Sequence, residues 1–186
     1  MDCMENEIFR EKDYTKTTFA GHTFSECRFV NCVFANSLLT NGAFIDCTFQ
    51  NCNFSLANFE KVRLQEVRFD GGKIVGGNFH LVDKRLFSIS FKNVLLQSCN
   101  FSHLKMKKGT FVGSRLQDCD FKETDLSEGN FQECDLNGTL FHQCNLCGAD
   151  FRNAINYTID PLVNKVKKAK FSIPEALSLL SNFKFG

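Results

Sequence analysis

Residues 44–59 read Phe44-Ile45-Asp46-Cys47-Thr48-Phe49-Gln50-Asn51-Cys52-Asn53-Phe54-Ser55-Leu56-Ala57-Asn58-Phe59, with a phenylalanine at every fifth position. Two places before three of those rings stand the small residues Cys47, Cys52 and Ala57. A helix repeats every ~3.6 residues and a half-buried strand every ~2, so neither regular period explains the stretch. Stepping outward by five gives Phe9, Tyr14, Phe19, Phe24, Phe29, Phe34 and Leu39 on one side, then Leu64, Phe69, Ile74 and Phe79 on the other. The next step lands on Lys84. A second register then runs from Leu86 through Phe91, Leu96, Phe101, Met106, Phe111, Leu116, Phe121, Leu126, Phe131, Leu136, Phe141 and Leu146 to Phe151. The gap from Phe79 to Leu86 implies two extra residues, placed near 80–85, in a chain of about twenty-nine five-residue repeats.

Composition follows from this. The chain has 22 Phe, 2 Tyr and no Trp, and 18 of the 22 Phe lie in the two registers. Eight of the 10 Cys occupy the small position two places before the central residue, including Cys27, Cys32, Cys99, Cys119, Cys134 and Cys144. Asn or Asp often stands between the two, as at Asn53, Asp120, Asp135 and Asp150. Small-x-large followed by two polar residues suits one side of a narrow coil, with two side chains inward and three facing water. No such repeat buries its large residue alone, so stacked coils must share one core.

The pattern resembles the pentapeptide-repeat proteins, whose consensus is Ala-(Asp/Asn)-Leu-x-x with Phe common at the centre. Cys47-Thr48-Phe49, Ala57-Asn58-Phe59, Cys119-Asp120-Phe121, Cys134-Asp135-Leu136 and Ala149-Asp150-Phe151 carry the match, which spans residues 17–155. The resemblance implies an all-β fold, a right-handed quadrilateral β-helix with four pentapeptides per coil and about seven coils. The core-ladder residues are then Phe29, Phe49, Phe69, Phe101, Phe121 and Phe141, and in the second half two opposite faces would carry Phe ladders and two would carry Leu/Met ladders.

Residues 1–16 are expected to be a cap over the open strand edge, because Glu7 and Lys12 put charges in the inward small position. Residues 156–186 are expected to form a connector and a C-terminal helix, with Ser172 as N-cap and Glu175 closing a capping box. Its apolar stripe is Ile173, Ala176, Leu177 and Leu180, broadened by Phe183. In bacterial members that this tail resembles, such a helix joins two chains, so a homodimer is expected.

Catalysis is not expected. The sequence has no nucleophile motif, P-loop or dinucleotide fingerprint. Its four His show no regular spacing with acids or Cys. Cys144-Asn145-Leu146-Cys147 matches C-x-x-C, but the repeat turns Cys144 inward and Cys147 outward, and zinc needs four converging ligands. No metal and no cofactor are expected. Core thiols act as small hydrophobes. The N-terminus lacks a basic segment followed by an apolar run, and no stretch reaches the ~18 apolar residues of a membrane span, so a cytoplasmic location with reduced thiols is expected.

A net charge of +1 announces neither a nucleic-acid binder nor a strongly acidic mimic. With twenty residues per coil, Lys105, Lys108 and Arg115 stack beneath Asp125, Glu128 and Asp135 as ordinary cross-strand neighbours. Glu26, Asp46 and Glu66 instead stack three like charges on one edge, a candidate partner-facing column that Arg28 and Arg68 would partly neutralise. Two functions fit. The resemblance implies a protein that binds DNA gyrase or topoisomerase IV by partial imitation of a DNA duplex, with quinolone protection and no direct contact to nucleic acid. The alternative is a scaffold or docking module for another protein.

Overall fold

The computed structural model describes residues 3–180, which wind into a four-sided parallel β-solenoid of about eight turns. Each short strand pairs in parallel with the one a coil further on. Ile8–Arg10, Arg28–Val30, Thr48–Gln50, Val67–Asp70 and Ile89–Lys92 form a five-stranded sheet on one side. Cys3–Glu5, Thr23–Ser25, Ala43–Ile45 and Arg63–Gln65 form a four-stranded sheet on a neighbouring side. Backbone bonds between coils keep the step, with Thr48 N–H donating to Cys27 O at 3.0 Å and Arg68 N–H to Cys47 O at 2.9 Å.

Four ladders of central residues fill the interior. The ladder that begins at Phe9 stacks Phe29, Phe49, Phe69, Phe91, Phe111, Phe131, Phe151 and Phe171 above it, with ring centroids 4.7–5.4 Å apart. The opposite ladder carries Phe59, Phe79, Phe101, Phe121 and Phe141 at 4.8–5.3 Å. Phe29, Phe49 and Phe69 therefore belong to one ladder and Phe101, Phe121 and Phe141 to its opposite. Between them run Leu96, Leu116 and Leu136 on one side and Met106, Leu126 and Leu146 on the other, all buried, so Phe and Leu/Met alternate around the second half as expected. Each aromatic pair adds about 0.5–1.5 kcal/mol beyond the area it buries.

The small inward positions do more than fill space. Cys47 Sγ donates to Phe24 O at 3.4 Å, Thr124 Oγ1 to Phe101 O at 3.0 Å and Thr139 Oγ1 to Leu116 O at 2.8 Å. Each is a bond to the carbonyl of a central residue one coil back, within the packed core. A small donor suits this place better than alanine, which explains the run of Cys, Ser and Thr that hydrophobicity alone leaves unexplained.

The register break lies slightly later than 80–85. Arg63 still bridges Asp83, twenty residues on, whereas Val67–Asp70 pairs with Ile89–Lys92 at a step of 22. The first register thus continues around Lys84, with Val82 buried before it. Leu86 then falls on the corner, at φ 54° and 73 % exposed, not in the inward place that restarting the register there assigns to it. The inserted pair is Phe87-Ser88. Phe87 packs against the core where Lys84 leaves a vacant step, and Ser88 stitches the seam, donating to Leu64 O at 3.0 Å and accepting from Val67 N–H at 3.1 Å. Above the break the Phe69–Phe91 stack widens to 5.4 Å.

Both ends extend the solenoid, which is why the turns number about eight rather than seven. From Cys3 onward the expected cap is itself a coil, with Ile8–Arg10 paired to Arg28–Val30. Nothing stacks beneath it among the described residues, and Glu7 and Lys12 are exposed at its inward positions. At the other end the sequence pattern fades after 155 but the backbone does not. Tyr157 and Ile159 are buried, Phe171 stacks on Phe151 at 5.3 Å, and Lys170–Phe171 pairs with Asp150–Phe151.

The C-terminal helix is a 3₁₀ segment, Glu175–Leu180, not an α-helix with a capping box. Ala176 N–H donates to Ser172 O and Leu177 N–H to Pro174 O, both at 3.0 Å. The Ser172 hydroxyl is committed elsewhere and accepts from Asn153 N–H at 3.1 Å. Leu179 packs on the core, while Ile173, Leu177 and Leu180 are exposed and Ala176 is half-buried. Phe183 lies outside the described residues.

Candidate interaction surface

Three outward side chains per repeat form a regular grid, and the local chemistry of the repeat fixes where each points. The Asn or Asp before the central residue accepts the backbone N–H two residues on. Asp120 Oδ1 takes Lys122 N–H at 3.0 Å, Asn130 takes Gln132 at 3.0 Å and Asn58 takes Glu60 at 2.8 Å. This is an Asx turn, which bends the chain out of one side. Two residues past the centre the backbone becomes left-handed, at Asn31, Asn51, Asp118 and Glu133 among others. That geometry costs an ordinary residue about 1–2 kcal/mol, and least for Asn, Asp and Gly.

Glu26, Asp46 and Glu66 occupy three of these corners, at φ 55°, 53° and 51°. Glu26 N–H donates to Ile45 O and Asp46 N–H to Gln65 O, both at 2.9 Å, so the exposed carboxylates stand one coil apart on a single edge. Arg28 does not neutralise them. Its guanidinium is turned to Gln50 Oε1, at 2.7 Å from Nη2 and 3.2 Å from Nε. Beyond the break the same edge mixes signs, Lys108 followed one coil on by Glu128, which Lys108 and Lys107 meet at 3.7 and 3.1 Å. Lys107 holds the Glu128 carboxyl below the usual range.

Elsewhere charges also pair locally. Arg85 grips Asp83 with two nitrogens, the closer at 2.7 Å, and pulls its carboxyl down to about 2. Arg152 grips Asp150 in the same way at 2.6 Å, and His103 meets Glu123 at 3.3 Å. Positive and negative side chains therefore interleave, and among the described residues no side is uniformly acidic.

Eight of the ten cysteines are buried. Burial pushes the Cys47, Cys52 and Cys134 thiols up to about 12. Cys144 donates inward to Phe121 O, while Cys147 is half-buried with its Sγ 3.8 Å from Lys165 O, so the C-x-x-C pair diverges. Among the described residues no cluster of His, Cys, Asp or Glu could hold a metal ion, and no helix is long and apolar enough to cross a membrane.

Grooves gather around the break, a feature the sequence pattern did not mark. One of about 610 Å³ runs between Gly21, Arg63, Lys84 and Arg85. A second, of about 230 Å³, lies beside Phe87 and is lined by Arg68, Lys105, Lys107 and Lys108 with Ser88, Ser90 and Thr110. The run Lys105-Met106-Lys107-Lys108 is visible in sequence, but the recess that brings Arg68 to it exists only because the corner between them is displaced.

A four-sided solenoid with a stacked Phe core and Asx corners defines a class. Residues 22–88 match the family described as pentapeptide repeat region, and residues 95–132 and 130–155 match pentapeptide repeats in 8 copies. The chain belongs to the pentapeptide-repeat family. No curated protein matches it significantly. Among solved structures it is similar to trypsin-treated QnrB1, a plasmid-mediated fluoroquinolone resistance protein, at 16% identity and a TM-score of 0.75, covering 100% of this chain and 97% of that one. It is also similar to HetL, a protein involved in heterocyst differentiation regulation from the cyanobacterium Nostoc sp. strain PCC 7120, at 13% identity and a TM-score of 0.66, covering 91% of this chain and 84% of that one. At such identities the likeness is one of fold.

Proposed function

We propose that this chain is a non-catalytic docking rod that binds a protein through its outward grid, with DNA gyrase as the partner to test first. One observation carries the reading: the stacked core fills the inward positions, so chemistry and recognition are left to outward side chains held on a rigid lattice. Likeness along the whole chain to a fluoroquinolone resistance protein directs attention to protection from quinolones, and the resemblance of the repeats and tail to bacterial pentapeptide-repeat proteins directs it to gyrase. The edge formed by Glu26, Asp46 and Glu66 is the surface proposed to face it. Three carboxylates at a coil rise of ~4.8 Å are sparser than the one charge per ~1.7 Å of a duplex, so any mimicry is partial. A scaffold role without duplex mimicry is the second reading, favoured by the mixed charges at Lys107, Lys108 and Glu128. The exposed Ile173, Leu177 and Leu180 form the surface proposed to join two chains, in the cytoplasm.

The test is inhibition of gyrase supercoiling, and rescue of gyrase from a quinolone, by the purified chain. An effect lost in Glu26→Lys, Asp46→Lys, Glu66→Lys carries the gyrase reading. Absence of any effect at large molar excess removes it and leaves the scaffold. Sedimentation of the wild type and of Leu177→Asp decides the dimer.

A further inference from the structure

We infer that the notch beside Phe87 is a binding site for a doubly charged phosphoryl group. The register break builds it. On this side of the solenoid the coil that carries the insertion makes no bridge from residues 84–88 to the coil above, among the described residues, whereas Ser90 pairs with Thr110 just beyond. The corner between Glu66 and Lys108 is therefore recessed, leaving a cavity of about 230 Å³. That volume holds one tetrahedral oxyanion and its hydration, and is too small for a folded element.

The lining has the chemistry for such a group. Arg68, Lys105, Lys107 and Lys108 surround the notch, with Glu66 its one lining acid. Lys107 and Lys108 share Glu128, while among the described residues neither Arg68 nor Lys105 is paired with an acid. The lining itself sets four cations against one acid, with Glu128 bound by Lys107 and Lys108 and Asp125 the cross-coil neighbour of Lys105, on a chain whose whole net charge is +1. A phosphoryl group brings about −1.5 to −2 at neutral pH and three acceptor oxygens. The guanidinium supplies a planar fork, and Ser88, Ser90 and Thr110 add hydroxyl-bearing side chains to the lining. A single carboxylate would satisfy neither the charge nor the number of donors. Such a group comes either as free phosphate or on a phosphorylated side chain.

The test is calorimetric titration of the full chain, at low ionic strength, with inorganic phosphate and separately with a phosphoserine peptide. Saturable binding is expected, weakened about tenfold or more in Arg68→Gln, Lys105→Gln. Both residues are exposed, so the variant should keep its circular dichroism and melting temperature. Lys12→Gln, Lys16→Gln, the same charge removed at the far end, should bind as wild type. Equal affinity for phosphate and peptide identifies the free ion as the source; clearly tighter binding of the peptide identifies a phosphorylated partner. No saturable binding of either probe, or equal loss in both double variants, overturns the assignment.

Discussion

The halves on either side of the break fill one cross-section in two ways. Below it, rings sit on adjacent sides and meet at the corners, as in Phe44–Phe49 at 5.4 Å and Phe49–Phe54 at 4.9 Å. Above it, Leu occupies the intervening sides and the edge-to-face contacts are between rings from opposite sides, as in Phe111–Phe121 at 5.6 Å and Phe131–Phe141 at 5.9 Å. The backbone step is the same in both. A shorter Leu withdraws from the axis, and the two opposed Phe reach into the space it gives up. The repeat therefore constrains the sum of the side chains in a coil more tightly than any one of them.

Substitutions in the core probe this difference hardest. Phe121→Ala removes a ring that contacts both its stack and the opposite side, and should cost about 3–5 kcal/mol in urea unfolding, as should Phe49→Ala. Leu136→Phe restores above the break the residue type that Phe54 has below it. Because Phe131 and Phe141 already occupy the axis, it should destabilise by about 1–3 kcal/mol. A neutral or stabilising Leu136→Phe would show that the two ring arrangements are interchangeable.

The thiols give a smaller effect, common to both halves. Cys47 and Cys52 lie below the break and Cys134 above it, and burial raises all three to about 12. For an acid whose folded value is raised, the neutral form belongs to the folded state. The stability it contributes is complete below the ordinary thiol value near 9 and is lost as pH rises toward 12. Melting temperature should therefore fall across that window, and less so in Cys47→Ser, Cys52→Ser, whose hydroxyls can still donate. An unchanged slope in that variant would shift the alkaline loss to other groups.

The corners give the smallest effect. Leu56 holds a left-handed φ of 58° with its side chain 62 % exposed, so it combines backbone strain with an apolar surface. Leu56→Asn should stabilise by about 0.5–1 kcal/mol, whereas the same change at buried Leu116 should be severely destabilising. Thermal unfolding distinguishes the two directions.

Most of the fold was legible because its signal is redundant. A central residue every fifth place and a small residue two before it repeat so often that single exceptions cannot hide them. The failures occur where one repeat had to be judged alone. Leu86 is apolar and falls in the second register, yet its neighbours hold it at a corner of the first. Tyr157 and Ile159 are inward without the expected spacing, because the coil shortens and then recovers between Leu140↔Thr158 and Asn145↔Lys165. Ser172 and Glu175 look like a capping box, but the last coil claims the serine hydroxyl through Asn153. The acidic column could be placed from the spacing of twenty, whereas the direction of Arg28 depended on Gln50 lying within its reach.

The sequence by itself determined the five-residue period, the stacked Phe core, the step between coils and the family, since all follow from which residues must be buried together. Only the tertiary structure decided that the inward thiols and hydroxyls bond the carbonyls of the coil before, that Phe87 fills the step Lys84 leaves, and that Arg68 comes to Lys105 across a recessed corner. Those depend on backbone position at a few ångströms' precision. A period read along the chain carries no information about distances across it.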